Sequence, residues 1–325
     1  MLNKYFAALV LFTIMLQACS DGNDNNGTSA DTVVLPDNVL IFTDRPVSNF
    51  QLQEAINNGE SDPVLRLSGM IAGQPITIVK LRGKTNHFGR DRDLKYIDYH
   101  ATVPDTKVWV AEYPYTRDLD IKTDETGWWT MYIVKDTGVD LEFSFVFEKE
   151  DWITTKTNIN TIGDEDDLDF AIQYIDPYFY EFAMLPLVES MMRSNGYPNF
   201  FFENAMVVTV GKSWASMHDD RLPHGDPGGT VSVTPASGDY IGPVYFNKDV
   251  IPDVNQLDVS VDGGVVWLNM PQEGTYSVTA HKPGVNYPTV KFTFTEADRD
   301  AGVQLYIASP PDSLEGDNDS PPGEQ

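Results

Sequence analysis

A chain of 325 residues with 41% apolar side chains holds enough material for two domains, or three small ones, and too much apolar content to be disordered throughout. Asp and Glu number 49 against 22 Lys and Arg, a formal net charge of -27; such a surface repels nucleic acid and anionic headgroups, which excludes nucleic-acid binding, and it favours high salt or divalent cations. The single cysteine excludes disulfides and Cys-rich metal sites, so each core must be held by burial alone.

The N-terminus reads as an export signal. Lys4 precedes an apolar run over 5–16, too short to span a bilayer and of the right length for the hydrophobic part of a secretory leader. The run closes in Leu16-Gln17-Ala18-Cys19, which resembles the lipobox of bacterial lipoproteins, with its branched apolar residue three places before the cysteine and a small one immediately before it. The resemblance implies removal of 1–18, lipidation of Cys19 with palmitate-type chains and tethering to a membrane. Each buried methylene contributes about 0.8 kcal/mol, so several chains anchor firmly. Ser20 in place of Asp implies, by the same resemblance, the outer membrane, with the periplasmic or surface face left open. The alternative is a plain secretory leader with a chance cysteine.

Residues 19–32 form a polar flexible linker that cannot bury a core. From Val33 onward, β-forming runs alternate with turn clusters, and strands are expected at 39–42, 65–70, 76–81, 107–111 and 128–134, with a short helix at 49–58 ahead of Gly59. Over 139–147, Leu141, Phe143, Phe145 and Phe147 alternate with Glu142, Ser144 and Val146, the pattern of one half-buried strand. Asp164, Asp166, Asp167 and Asp169 then cluster; they are either a solvated turn or, in a spacing that fits no standard loop, a calcium site. A helix follows, with Asp176 as cap, Pro177 in the first turn, Arg193 near the end and Gly196 beyond it, and with a kink expected at Pro186. Its apolar body, including Tyr178, Phe179, Phe182, Met191 and Met192, must be buried or wall a pocket.

Beyond a strand at 206–210, a polar loop over 213–226 and a turn at 226–229, the segment 230–309 reads as strands and turns. A hairpin is expected between 257–261 and 265–269 across Asp262-Gly263-Gly264, followed by strands at 275–280, 289–295 and 303–307. Residues 310–325 form a disordered acidic tail. The run Asp262-Gly-Gly264-Val-Val-Trp-Leu268-Asn-Met-Pro271-Gln-Glu-Gly274-Thr-Tyr276 resembles the carboxypeptidase regulatory-like module, a transthyretin-type β-sandwich, and Thr123-Asp124-Glu-Thr-Gly127-Trp resembles it more faintly. The resemblance implies a mainly β protein of two tandem antiparallel β-sandwich (transthyretin/Ig-like) modules, 33–175 and 230–309, joined by one bridging helix and a loop over 176–229. It implies accessory, scaffolding or ligand-binding roles, since fold alone does not fix function.

The loop gathers the candidate chemistry: Ser213, Trp214, Ser216, His218, Asp219, Asp220, Arg221, His224 and Asp226. His218 and His224 with Asp219 or Asp220 are suitable ligands for a divalent metal, though their spacing matches no zincin pair. In an enzyme, His218, Asp219 and His224 would be the catalytic candidates. A serine hydrolase built on Ser213 or Ser216 lacks its sharp turn, because Ala215 stands where the nucleophile elbow has Gly. Trp214, Arg221 and Asp220 could instead face a sugar or a peptide. The bland reading is an ordered connection in which Arg221 pairs with its neighbouring carboxylates. The sequence therefore points to a non-catalytic envelope lipoprotein that binds or scaffolds a protein or saccharide partner, with a metal-dependent or serine hydrolase as the alternative. The cofactor is left open, with a divalent cation as the candidate.

Overall fold

Alternating β-branched and aromatic residues make strands through most of the chain, and the protein is mainly β. The structure, a computed structural model, describes residues 35–59, 75–86, 102–164, 169–173, 185–194, 204–212, 225–236, 240–249, 251–271, 273–308 and 314–316. The elements of the first half are β1 (Val39–Phe42), α1 (Asn49–Gly59), β2 (Ile76–Asn86), β3 (Lys107–Val110), β4 (Trp128–Asp136), β5 (Leu141–Phe143), β6 (Phe145–Glu148), β7 (Thr154–Thr157), β8 (Asn160–Ile162) and β9 (Asp169–Gln173). The second half holds α2 (Leu185–Ser194), β10 (Ala205–Gly211), β11 (Thr230–Thr234), β12 (Ile241–Tyr245), β13 (Gly264–Leu268), β14 (Gly274–His281), β15 (Thr289–Phe294), α3 (Glu296–Asp300), β16 (Val303–Ile307) and β17 (Leu314–Glu315).

The two halves share a sheet. An eight-stranded sheet runs β12-β13-β10-β16-β7-β6-β3, with β17 added against β10, so β16 of the second half lies parallel to β7 of the first. A four-stranded sheet β1-β4-β2-β9 belongs to the first half, and a three-stranded meander β11-β14-β15 to the second. The period of two in a strand decides which core each residue enters. Val108 and Val110 of β3, with Phe145 and Phe147 of β6, join Leu81, Trp129 and Met131 of the four-stranded sheet. Trp109 and Val146, one step away, join the opposite core with Val208, Trp267, Val278 and Phe292. At the other end of the large sheet, Val265 and Trp267 face the meander. There Val266 and Leu268 turn the other way, onto Met192 of α2 and onto Ile153. The large sheet is thus covered on both faces, and α2 bridges residues of both halves.

Three expectations change. The run 139–147 is not one half-buried strand: it breaks at Ser144, whose N–H donates to Glu112 (2.7 Å), and Val146 is buried as deeply as its phenylalanine neighbours because a second core lies behind it. The stretch 257–261 is not a hairpin strand. Leu257 is 80% exposed, and Val259 exchanges backbone bonds with Gly228 and Gly229 instead of with β13, whose neighbours are β10 and β12. The tail over 310–325 is not disordered throughout: Leu314 and Glu315 form β17 against β10, and Leu314 is fully buried in the core. Pro186 lies within α2, while the expected helical stretch 176–184 before it, which a kink would involve, and the expected strand 65–70 lie outside the described residues. Within the described residues, no helix is long and apolar enough to cross a membrane.

The run that carried the sandwich resemblance makes a corner between sheets. β13 ends the large sheet's contribution, Asn269 (φ 56°) and Gly274 (φ 141°) turn the chain, and β14 enters the meander. Tyr276 then sits edge-on to Phe294, with ring centres 5.4 Å apart, in the core between the two sheets.

Candidate functional site

The polar loop rises from a neck whose two sides are both described. β10 leads out to Lys212, and the chain returns at Gly225, which bridges Gly211 in antiparallel fashion. Asp226 N–H donates to Val210 (2.9 Å), Gly225 N–H to Val261 (2.9 Å) and Gly228 N–H to Val259 (2.9 Å). The limb crosses the turn at 260–263 so closely that a Cβ on Gly225 would lie 2.3 Å from the Ser260 carbonyl oxygen and 2.4 Å from Gly263 N. Only glycine permits this approach. Gly263 adopts φ 86°, and a Cβ there would meet the Gly225 Cα at 2.8 Å.

Asp226 anchors the foot of the loop. Its side chain has no exposed surface; one carboxylate oxygen takes the Lys282 ammonium and the other the Tyr287 hydroxyl. Burial, then the bond to Asp226 and its charge, pushes the Tyr287 hydroxyl well above the usual phenol range. The sequence grouped Asp226 with the candidate site residues. Its carboxylate is engaged in structure, so its part is to fix where the loop begins.

Two open clefts flank this limb and share Gly228. One, of about 610 Å³, is lined by Thr230, Thr279, His281, Lys282, Asn286 and Tyr287 among others. His281 Nε2 lies 2.7 Å from the Ser232 hydroxyl. The second cleft, of about 560 Å³, is lined by Asn247, Lys248, Asp249, Gln256, Asp258, Ser260 and Val261. Local bonds orient its polar groups: Asn247 accepts from Asp249 N–H (2.9 Å), and Gln256 donates to Asp258 (2.9 Å). At its edge, burial pushes the Asp262 carboxyl up to about 6 against the opposing bond from Gly264 N–H. Sequence reasoning missed both clefts. Each is assembled from segments far apart in the chain, and no local motif marks them.

The other expected site residues fall as follows. Ser213, Trp214, Ser216, His218, Asp219, Asp220, Arg221 and His224 lie outside the described residues, as do Cys19, Asp166 and Asp167. Asp169 opens β9. Asp164 is engaged: it pairs with the fully buried Lys135 and accepts from Gly138 N–H, and although burial opposes it, these bonds hold its carboxyl below the usual range. Among the described residues, no group of three or more His, Cys, Asp or Glu is placed to hold a metal ion.

No protein-family model matches the chain. No curated protein matches it either. Among solved structures it is similar to CBMbc, a family CBM26 domain of Eubacterium rectale Amy13K crystallised with maltoheptaose, at 11% identity and a TM-score of 0.22, over 74% of this chain and 98% of that one. It is also similar to a single-substitution mutant of the shaft pilin SpaA of Lactobacillus rhamnosus GG, at 9% identity and a TM-score of 0.20, over 71% and 96% of the two chains. At such scores neither likeness carries an argument about what this chain binds.

Proposed function

We propose that the protein is an outer-membrane lipoprotein tethered through Cys19, whose folded part is a non-catalytic module that binds a saccharide or protein partner, a hydroxyl-rich saccharide being the ligand to test first. The observation that carries this reading is the pair of open, hydrogen-bonding clefts on either side of Gly228, at the rigid foot of the loop that holds Trp214, Asp220 and Arg221. Amides, carboxylates and hydroxyls fixed by their own neighbours are suited to vicinal hydroxyl groups, and a loop set on a stiff scaffold is where recognition residues belong. An indole such as Trp214 would add a flat apolar surface for a sugar ring.

The test is titration calorimetry of the full chain in detergent against a panel of soluble polysaccharides. Binding that weakens about tenfold or more on Asn247→Ala/Gln256→Ala and on Trp214→Ala supports the reading. Binding to no saccharide removes it in favour of a protein partner. A stoichiometric transition metal that is lost in His218→Ala/His224→Ala replaces it with the hydrolase alternative. The tether is tested separately: Cys19→Ser should abolish palmitate labelling and release the protein from membranes, and retention of either overturns it.

A further inference from the structure

The sheets of this molecule differ in what covers them. The eight-stranded sheet has a core on each face, and the four-stranded sheet turns Trp129 and Met131 to one core and Ile78 and Val134 onto α1. The meander β11-β14-β15 buries one face only. Val278, Phe292 and their neighbours enter the core, while the alternate residues from Thr230 to Thr234, from Thr275 to His281 and from Thr289 to Thr293 stand exposed or half-buried on the other side. Apart from His281 and Lys291, every one of those outward residues is Ser or Thr. The chain has 49 Asp and Glu residues, and none of them stands at these positions.

Register sets these hydroxyls in ranks across the sheet. Ser232, Thr279 and Thr289 share one rank, Thr234, Ser277 and Lys291 the next, and Thr275 with Thr293 the one beyond. Strands about 4.8 Å apart, with outward side chains repeating about every 6.8 Å along each, make the face a regular grid. Bonds within it orient the hydroxyls: Thr279 with Thr289 (2.8 Å), Thr275 with Thr293 (3.3 Å) and Ser232 with His281 (2.7 Å). Thr230, Thr279 and His281 also line the cleft of about 610 Å³, so the grid continues that cleft outward. A cleft alone suits a short ligand. One that opens onto a grid of hydroxyls suits a long ligand whose own hydroxyls repeat along its length. Resting on the saccharide reading above, we propose that the ligand is a neutral polysaccharide chain that leaves this cleft and lies across β11, β14 and β15. Charge selects it: hydroxyls meet hydroxyls with no carboxylate to desolvate, and a chain of net charge -27 repels a polyanion.

The experiment is titration calorimetry of the full chain in detergent, with dextran and galactomannan as neutral chains, polygalacturonate as an acidic one, and the short oligosaccharides of each. Expected is a neutral polysaccharide bound about tenfold or more tighter than its own oligosaccharides. Ser277→Glu, at the centre of the grid and outside the cleft, should bring the polysaccharide down to the oligosaccharide's affinity and leave the latter unchanged. Thr275→Val/Thr293→Val removes hydroxyls while keeping side-chain shape and strand preference, so it should weaken polysaccharide binding at an unchanged unfolding temperature. Ser277→Thr should bind as the parent does. Equal affinity for long and short ligands, polysaccharide binding untouched by Ser277→Glu and Thr275→Val/Thr293→Val, or a preference for polygalacturonate overturns the proposal and leaves the saccharide reading standing. Binding to no saccharide overturns both.

Discussion

Two buried Lys–Asp pairs in this molecule do different work. Lys156 and Asp298 lie in the seam where β7 and β16 run side by side, and neither reaches water. Asp226 is as deeply buried, but its partner Lys282 keeps 14% of its side chain exposed and lines a cleft. Desolvation explains the contrast: a fully enclosed pair serves the joint between halves, whereas a pair with one wet end can hold up a surface where something else binds. The same division runs through the fold. The β3–β6 end of the large sheet is closed by a core on each face, while the loop neck at β10 opens onto two clefts.

The strongest way to break this comparison is Asp298→Ala, which strands a buried lysine and removes the half of the α3 capping box that accepts Thr295 N–H. It should cost about 3–5 kcal/mol in denaturant unfolding, and a loss under about 1 kcal/mol would mean that the seam is not closed. Asp226→Asn should cost less, about 2 kcal/mol, because Lys282 can turn towards solvent, and it should weaken ligand binding at the loop foot as well. Equal losses from the two substitutions would erase the distinction.

The smallest effect is one of pH. The folded state pushes the Asp262 carboxyl up to about 6, above its usual 3.8, so the fold favours the protonated form. The stability this group contributes is complete below its unfolded pKa and is lost as pH rises through about 6. Asp124, Asp136 and Asp164 shift the opposite way and lose stabilisation as pH falls, so the difference between parent and Asp262→Asn isolates the effect. Asp262→Asn should gain relative stability as pH rises from 4 to 7, and a flat difference curve would place Asp262 in contact with water.

Strands with strong local patterns were legible. The runs at 76–81, 107–111, 128–134, 206–210, 275–280, 289–295 and 303–307 all fall on observed strands. The helix at 49–58 is α1, whose Leu52 and Ile56 stand one turn apart and pack on Ile76, Ile78 and Val134. Alternation misled at 139–147, where a second core behind β6 buries the face that the pattern left to solvent. It misled again at 257–261, where apolar residues pair with the loop neck. The capping box Thr295-Glu-Ala-Asp298 that opens α3 went unread behind the expected strand at 289–295, and nothing local marks Lys156 as the partner of Asp298, since a lysine within a threonine-rich run reads as surface.

The sequence by itself determined the β class, most strand positions, the acidic surface and the absence of disulfides, because these depend on composition and on a period of two along the chain. Only the tertiary structure decided that the halves share a sheet, that Lys156 meets Asp298, and that Asp226 holds the neck beside two clefts. Those facts rest on which distant backbones pair and which side chains are sealed from water, and no stretch of sequence carries the register between segments a hundred residues apart.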